Sequence, residues 1–517
     1  MHYPSSASAT VVLRASRVHA FANVRTHTGF VKRKAEPPVK PHEFWATKTT
    51  EKVKPQVPPP KLDIARMIAD PQATTRNIVE RGIEFDINQV ITLAQLREEE
   101  RRAERNVLDM RTEHGLQSHV YRDKHRKREK KNERMEARQL KVALKDEETR
   151  LRNITQRVAD AASALPNWSH PDAPRGGEDK AVLLEQFGPR PMADDENRSH
   201  LRITETFHWL NSSASAVSTG TSWPFLMGAA AMLEHALTGY AMSKAIKAGY
   251  MPVATPDVVS TDIAQRCGFQ PRDGENGPRQ TYNIESHLPP NEDGTPQAPH
   301  LCLAGTAEIP LAALWANRQL VRASMPAKTV GVGRAFRAEA GARGLDTRGL
   351  YRVHQFTKVE LFCVTSADAG ESDRMMEEIR ELQKDIAMGL GLSVRVLDMP
   401  TEELGASAAR KYDMEAWMPG RAKWGEITST SNCTDYQSRR LHIRYRDAVG
   451  EPLQFAHTLN GTAAAIPRLI IALLENGARL DGNGIVTGID LPKTLKPYWI
   501  GPEVEQAEEE DAVIRFV

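Results

Sequence analysis

The chain has 517 residues, 40% hydrophobic and 26% charged, long enough for roughly three domains at ~150 residues each. Lys and Arg (69) nearly balance Asp and Glu (67), so the net charge is only +2 and any polyanion-binding surface must come from local asymmetry. Four cysteines (Cys267, Cys302, Cys363, Cys433) without a C-x-x-C pair exclude a disulfide framework and a zinc cluster, and no apolar run reaches the ~18 residues of a membrane span.

Residues 1–34 hold six basic residues (Arg14, Arg17, Arg25, Lys32, Arg33, Lys34) and no acid before Glu36. That is transit-peptide composition, and it predicts the mitochondrial matrix, with the cytoplasm as the alternative if the segment is only a basic tail. Pro37-Pro38, Pro41 and Pro58-Pro59-Pro60 then make a linker that cannot be helical, so residues 1–60 form a transit segment with its linker and folding begins near Lys61.

From Leu93, apolar residues recur at spacings of three and four as Leu93, Leu96, Ala103, Val107 and Met110, with Glu100 breaking the seam. A second series runs Leu140, Leu144, Leu151, Ile154, Val158, Ala161 and Leu165, ending at Pro166. These spacings predict an antiparallel helical hairpin within an arm spanning 61–175. Its far end is basic: residues 122–134 hold eight Lys or Arg against three acids, a local charge of +5. A solvated helix face would carry such a run, and so would a blade that tracks a phosphate backbone through Lys124, Arg126, Lys127, Arg128, Lys130 and Lys131.

Beyond Asn211 the composition turns to Gly, Ala and β-branched residues, with one buried helix predicted over 226–248 and an extended segment over 251–259. Thr329–Glu339 and Leu350–Val364 are two extended runs around a Gly-rich connection, which predicts a β-hairpin. Side chains alternate faces along a strand, so Arg337 and Glu339 share one face of the first run. Arg352, His354, Phe356, Lys358 and Glu360 share one in the second. Unpaired charge is costly to bury, so this face meets solvent or a polar ligand, and cations, carboxylates and a ring together suit a nucleotide. No phosphate-binding loop of the G-x-x-x-x-G-K-[ST] form is present, and Gly482-Asn483-Gly484 is a turn. The acidic end, 501–517, is expected to be a disordered tail.

From Leu62 to Tyr498 the chain resembles the seryl-tRNA synthetases of bacterial and organellar type. The resemblance rests on GTAEIPL at 305–311, FRAEAGARGLDTRGLYRVHQFTKVELF at 336–362, WGEITSTSNCTDYQSRRL at 424–441 and HTLNGTAAAIPRLIIALLEN at 457–476, in the family's order. DPQATTRNIVERG at 70–82 and ALPNWSHPDAP at 164–174 resemble the two ends of the family's tRNA-binding arm. The resemblance implies an α+β fold, with an antiparallel sheet in a class II catalytic domain over 176–500 behind the helical arm.

It also implies site roles. Thr306, Ala307 and Glu308 would recognise the serine amine, with Glu360 opposite, and Thr462 would face the small side-chain pocket. Arg337 would clamp the ATP α-phosphate and the serine carboxylate; Glu339 and the Val353 backbone would hold adenine with Phe356 stacked on it, and Ala338 would also bind ATP. Glu426, Ile427, Thr428 and Ser429 would bind ATP phosphates, Glu426 also ligating Mg2+, and Arg468 would reach the γ-phosphate. Arg337, Glu426 and Arg468 are then the catalytic set. The implied partners are L-serine, ATP, tRNA(Ser) and a second copy of the chain, with neither DNA nor membrane expected. A carrier-protein-charging homologue would not need the long arm, and a non-catalytic RNA-binding or regulatory paralogue would not need the polar set.

Overall fold

The described residues of the computed structural model are 57–123, 130–269, 281–285, 289, 291, 298–339, 348–501 and 512–517. The predicted transit segment and the basic tip at 124–129 lie outside them. Asp70 caps helix α1 (Pro71–Val79) by accepting from the Ala73 N–H at 2.9 Å, with Pro71 in the first turn, where a missing N–H costs nothing. Helices α2 (Ile87–Asp123) and α3 (Lys130–Ser163) form the predicted hairpin. Arg111 bonds Glu148, Asn106 bonds Glu147 and Arg150 bonds Glu99, so the two run antiparallel. The seam buries Leu93, Leu96, Ala103, Val107, Ile154, Val158 and Leu165. Glu100 also lies in it, its charge met by Arg97. Ala162, rather than Ala161, is the fully buried small residue of α3, because the helix has turned slightly past the strict heptad by its last turn.

Two buried polar side chains tie the arm's base to the rest of the protein. Asn167 Nδ2 donates to Ser407 O and Cys433 O, both at 2.8 Å. Arg81, just past α1, donates to Ser169 Oγ, Gly405 O and Ala408 O.

Eight strands build the main sheet: β1 (Val182–Phe187), β2 (Met251–Ala254), β3 (Ala327–Phe336), β4 (Gln355–Thr365), β5 (Val394–Asp398), β6 (Arg410–Met418), β7 (Lys423–Thr434) and β8 (His457–Ala465). Their order is β1-β5-β6-β7-β8-β4-β3-β2, antiparallel throughout except for β2 beside β3. Helices α4 (Gly228–Lys247), α6 (Ala369–Gly389) and α8 (Ile466–Gly477) share one core with this sheet. Along β4, Val359, Leu361 and Cys363 enter that core, which leaves Lys358 and Glu360 to the opposite face. Pro467 sits in the first turn of α8 as expected, and all four cysteines are buried free thiols.

Two boundaries differ from expectation. The β3–β4 ladder ends at Gln355 opposite Phe336, and Glu339 takes a left-handed φ of 45°. Arg337, Glu339, Arg352 and His354 therefore lie beyond the sheet, where strict alternation no longer applies. The end of the chain is also not all tail. Ile514–Phe516 forms a strand parallel to Val486–Leu491, with Ile514 and Phe516 buried and Arg515 paired with Asp490 at 2.8 Å. Alternating apolar residues gave that segment an inward face, which outweighed the acidic run before it.

Candidate active site

Two adjoining cavities open on the polar face of β4, β7 and β8. The larger, of about 830 Å³, is lined by Thr306, Glu308, Glu360 and Asn460 among others, and the smaller, of about 60 Å³, by Glu339, Val353, Phe356, Glu426, Thr462 and Arg468. Arg337, Lys358 and Ser429 line both. Residues spread over 163 positions of sequence, from 306 to 468, thus meet at one place.

In the larger cavity, helix α5 (Glu308–Leu314) brings a buried carboxylate to the wall. Thr306 Oγ1 donates to Glu360 Oε2 at 3.0 Å, and Lys358 Nζ lies 2.6 Å from the same oxygen. Glu308 Oε1 accepts from Gln437 Nε2 at 2.7 Å and Asn460 Nδ2 at 3.0 Å. Burial, then the neighbouring Glu360 charge, pushes the Glu308 carboxyl up to about 7, while Lys358 and Arg337 pull the other way. Glu308 and Glu360 share this wall with Lys358, which Glu360 already engages, so a ligand carrying an ammonium group would relieve the repulsion between the two carboxylates. Ala307 does not face the cavity: a Cβ at Gly333 would come within 2.9 Å of the Ala307 Cβ, so this residue packs against β3 at the helix start.

On the other side, Arg337 Nε reaches toward Gly305 O at 3.4 Å and its guanidinium lies 5.4 Å from the Phe356 ring. Glu339 pairs with Arg352 at 3.4 Å. Arg468 donates to both the carbonyl and the Oε2 of Glu426, at 3.0 and 3.1 Å, and stacks 4.8 Å from the Tyr351 ring. Burial would raise the Glu426 carboxyl, but Arg468, Lys411 and Arg337 together hold it below the usual carboxylate range.

Within 426–429 the side chains divide. Met414 pairs with Thr428 and Glu415 with Glu426, so Ile427 is an extra, bulged residue. The bulge sets Glu426 and Ser429 on the cavity side although three positions separate them, while Ile427 enters the core and Thr428 is buried. Neither of these two lines a cavity, nor does Ala338. Only their backbone groups are left to meet a ligand. Thr462 stands opposite Glu360 in the ladder but lines the smaller cavity, not the one that holds Thr306 and Glu308. The predicted tRNA-contacting side chains from Lys124 to Lys131 lie outside the described part of the structure.

Tyr351, Gln437 and Asn460 belong to the site without having been assigned to it from sequence, and Lys358 was placed on the polar face without a role. Asn460 was legible, being two residues before Thr462 on one strand, and Lys358 lies between Phe356 and Glu360 on their shared face. Gln437 carried no local signal, because its partner Glu308 is 129 residues away.

No cluster of three or more potential metal ligands occurs among the described residues. A Mg2+ ion nonetheless needs few protein ligands when phosphates complete its shell. The Glu426 carboxylate, held anionic beside the Ser429 hydroxyl, is a hard-oxygen pair that fits it.

Residues 292–477 match the tRNA synthetase class II core domain (G, H, P, S and T). The chain is 38% identical to a serine–tRNA ligase of Rubrobacter xylanophilus over 444 residues, covering 86% of this chain and 98% of the bacterial one. This chain belongs to the serine–tRNA ligases. Among mitochondrial ligases, that of Schizosaccharomyces pombe is 45% identical over 364 residues, 70% of this chain and 72% of the relative. The seryl-tRNA synthetase of Pyrococcus horikoshii, solved with ATP, superposes with a TM-score of 0.72 at 28% identity, over 84% of this chain and 98% of that one. The antiparallel α+β catalytic fold of the ligase family is thus the fold observed.

Proposed function

We propose that this ligase activates L-serine with ATP to seryl-adenylate and transfers the seryl group to tRNA(Ser) for translation in the mitochondrial matrix, working as a homodimer. The observation that carries the reading is the position of Arg337, a cation common to the linings of both cavities. One guanidinium can there touch a carboxylate on one side and a phosphate on the other. The ATP-bound Pyrococcus relative and the mitochondrial relatives support the substrate and the compartment.

In this reading Glu308, Thr306 and Glu360 receive the serine ammonium and hydroxyl, and Thr462 borders the side-chain pocket. Phe356 stacks on adenine, with Glu339 and the Val353 backbone at its edge, while Arg468 and the 426–429 strand take the outer phosphates. Bound Mg2+ at Glu426 would supply charge neutralisation of those phosphates. The serine carboxylate is already ionised, so its oxygen attacks the α-phosphorus without a general base and pyrophosphate leaves. Arg337 stabilises the charge that builds on the phosphorus oxygens. A ribose hydroxyl of the tRNA then attacks the seryl carbonyl and AMP departs. The arm, 61–175, holds the tRNA, and its basic tip contributes phosphate contacts.

The test is serine-dependent exchange of labelled pyrophosphate into ATP with the purified protein. Exchange with serine, and far less with alanine, is expected, because a site built around a hydroxyl leaves its polar groups unpaired with the analogue. No exchange with serine would overturn the reading.

A further inference from the structure

Gln437 belongs to a six-residue helix, α7 (Tyr436–Leu441), that forms no wall of either cavity, and its side chain is fully buried. Every polar atom of its amide is engaged. Nε2 donates to Glu308 Oε1 at 2.7 Å and to Cys267 O at 3.2 Å, while Oε1 accepts from Thr458 Oγ1 at 2.8 Å. The Thr458 hydroxyl can donate only one proton, and spending it on Oε1 fixes which end of the amide faces Glu308. Asn460 Nδ2 donates to the same Glu308 oxygen at 3.0 Å. Among the described residues nothing donates to Glu308 Oε2, although Glu308 lines the cavity wall. Both amides therefore grip one oxygen and leave the other for a ligand.

We infer that Gln437 is a positioning residue for serine recognition: through Thr458 and its own Nε2 it holds the Glu308 carboxylate in one orientation, anionic, with Oε2 presented to the substrate ammonium. This rests on the reading of Glu308 as the receptor of that ammonium. A buried carboxylate stays ionised only if donors and cations offset its desolvation. The groups facing Glu308 do not suffice by themselves. Glu360 opposes ionisation, Lys358 is already paired with Glu360, Arg337 acts from a distance, and the Cys267 and Cys433 thiols are buried and neutral. The amide hydrogen bonds are the local compensation, and Gln437 supplies the shorter one.

The experiment compares wild type, Gln437→Met, Thr458→Val and Glu308→Gln, using the pH dependence of kcat/KM for serine in pyrophosphate exchange, with the KM for ATP as control. Methionine keeps the length of glutamine and removes both donors. For Gln437→Met we expect the KM for serine to rise about tenfold and the acid limb of the profile to move up by about one pH unit, with the KM for ATP little changed. Thr458→Val, which frees the amide to flip, should shift the limb in the same direction by less. A structural role alone would lower activity or melting temperature without moving the limb. An unmoved limb in both folded variants overturns the proposal, provided Glu308→Gln raises the serine KM and abolishes the limb. If Glu308→Gln leaves serine binding intact, the reading of Glu308 itself is wrong.

Discussion

The two carboxylates at the heart of the site differ because their surroundings do. Glu426 faces three cations and stays anionic, while Glu308 is buried beside another carboxylate and rises to about 7. Stability depends on pH as a result. Below pH about 4.5 folded and unfolded chains both hold the Glu308 proton; between about 4.5 and 7 only the folded one does. The folded state then binds the extra proton, so this residue's contribution falls as pH rises through that window and levels off above it. Thermal unfolding of the substrate-free enzyme should show wild type losing stability relative to Glu308→Gln across that range; a difference independent of pH would contradict the assignment. Arg337→Ala should reduce serine activation at least a hundredfold, about 3 kcal/mol of transition-state stabilisation. Affinity for tRNA should be nearly retained, since Arg337 lines the two cavities of the sheet face and the arm is a separate hairpin. Pyrophosphate exchange at a normal rate by this variant would remove Arg337 from the chemistry.

Elements that carry a strong period were legible in the sequence, and those set by distant partners were not. The arm's heptad seam and the β3–β4 hairpin followed from spacing alone. The inward turn of Ile427 did not, since it comes from a bulge that only the pairing of β6 with β7 reveals. The packing of Ala307 against Gly333 and the docking of Ile514–Phe516 are long-range in the same sense. The arm's base depends on such contacts too. Arg81 is buried and donates to Gly405 and Ala408, in a loop whose residues also line the larger cavity. Arg81→Met strands the Ala408 carbonyl and takes one of two donors from Gly405 O, which keeps the Ala408 N–H, so chemical denaturation should show a loss of about 3 kcal/mol, with a raised KM for serine as the loop loosens. Stability unchanged within error would mean the arm is anchored elsewhere. Replacing 112–138 with a short turn should spare serine activation, because the hairpin contributes no group to either cavity, while charging of tRNA falls steeply. Neutralising Lys124, Arg126, Lys127, Arg128, Lys130 and Lys131 to Gln should flatten the salt dependence of tRNA affinity by ~0.7 to 0.9 for each phosphate no longer neutralised. An unchanged slope with unchanged charging would leave the basic run as a solvated helix face.

At the scale of the whole molecule, a nearly neutral chain concentrates its charge in four places, with a basic N-terminal segment, a basic run at 122–134, an acidic run at 503–511, and a cavity-lining sheet face whose cations and carboxylates are matched side by side. Removing residues 1–34 takes away six positive charges and the acid-free segment, so a fluorescent fusion should move from mitochondria to cytosol; unchanged localisation would leave the leader without a role in targeting. In the proposed function, serine activated on the sheet face is delivered to a tRNA held by the arm. Its most direct test is aminoacylation with labelled serine, comparing organellar and cytosolic tRNA pools under the same salt. Serine- and ATP-dependent charging of tRNA(Ser), strongest with the organellar pool, is the expected result. Robust pyrophosphate exchange with no charging of either pool would contradict it.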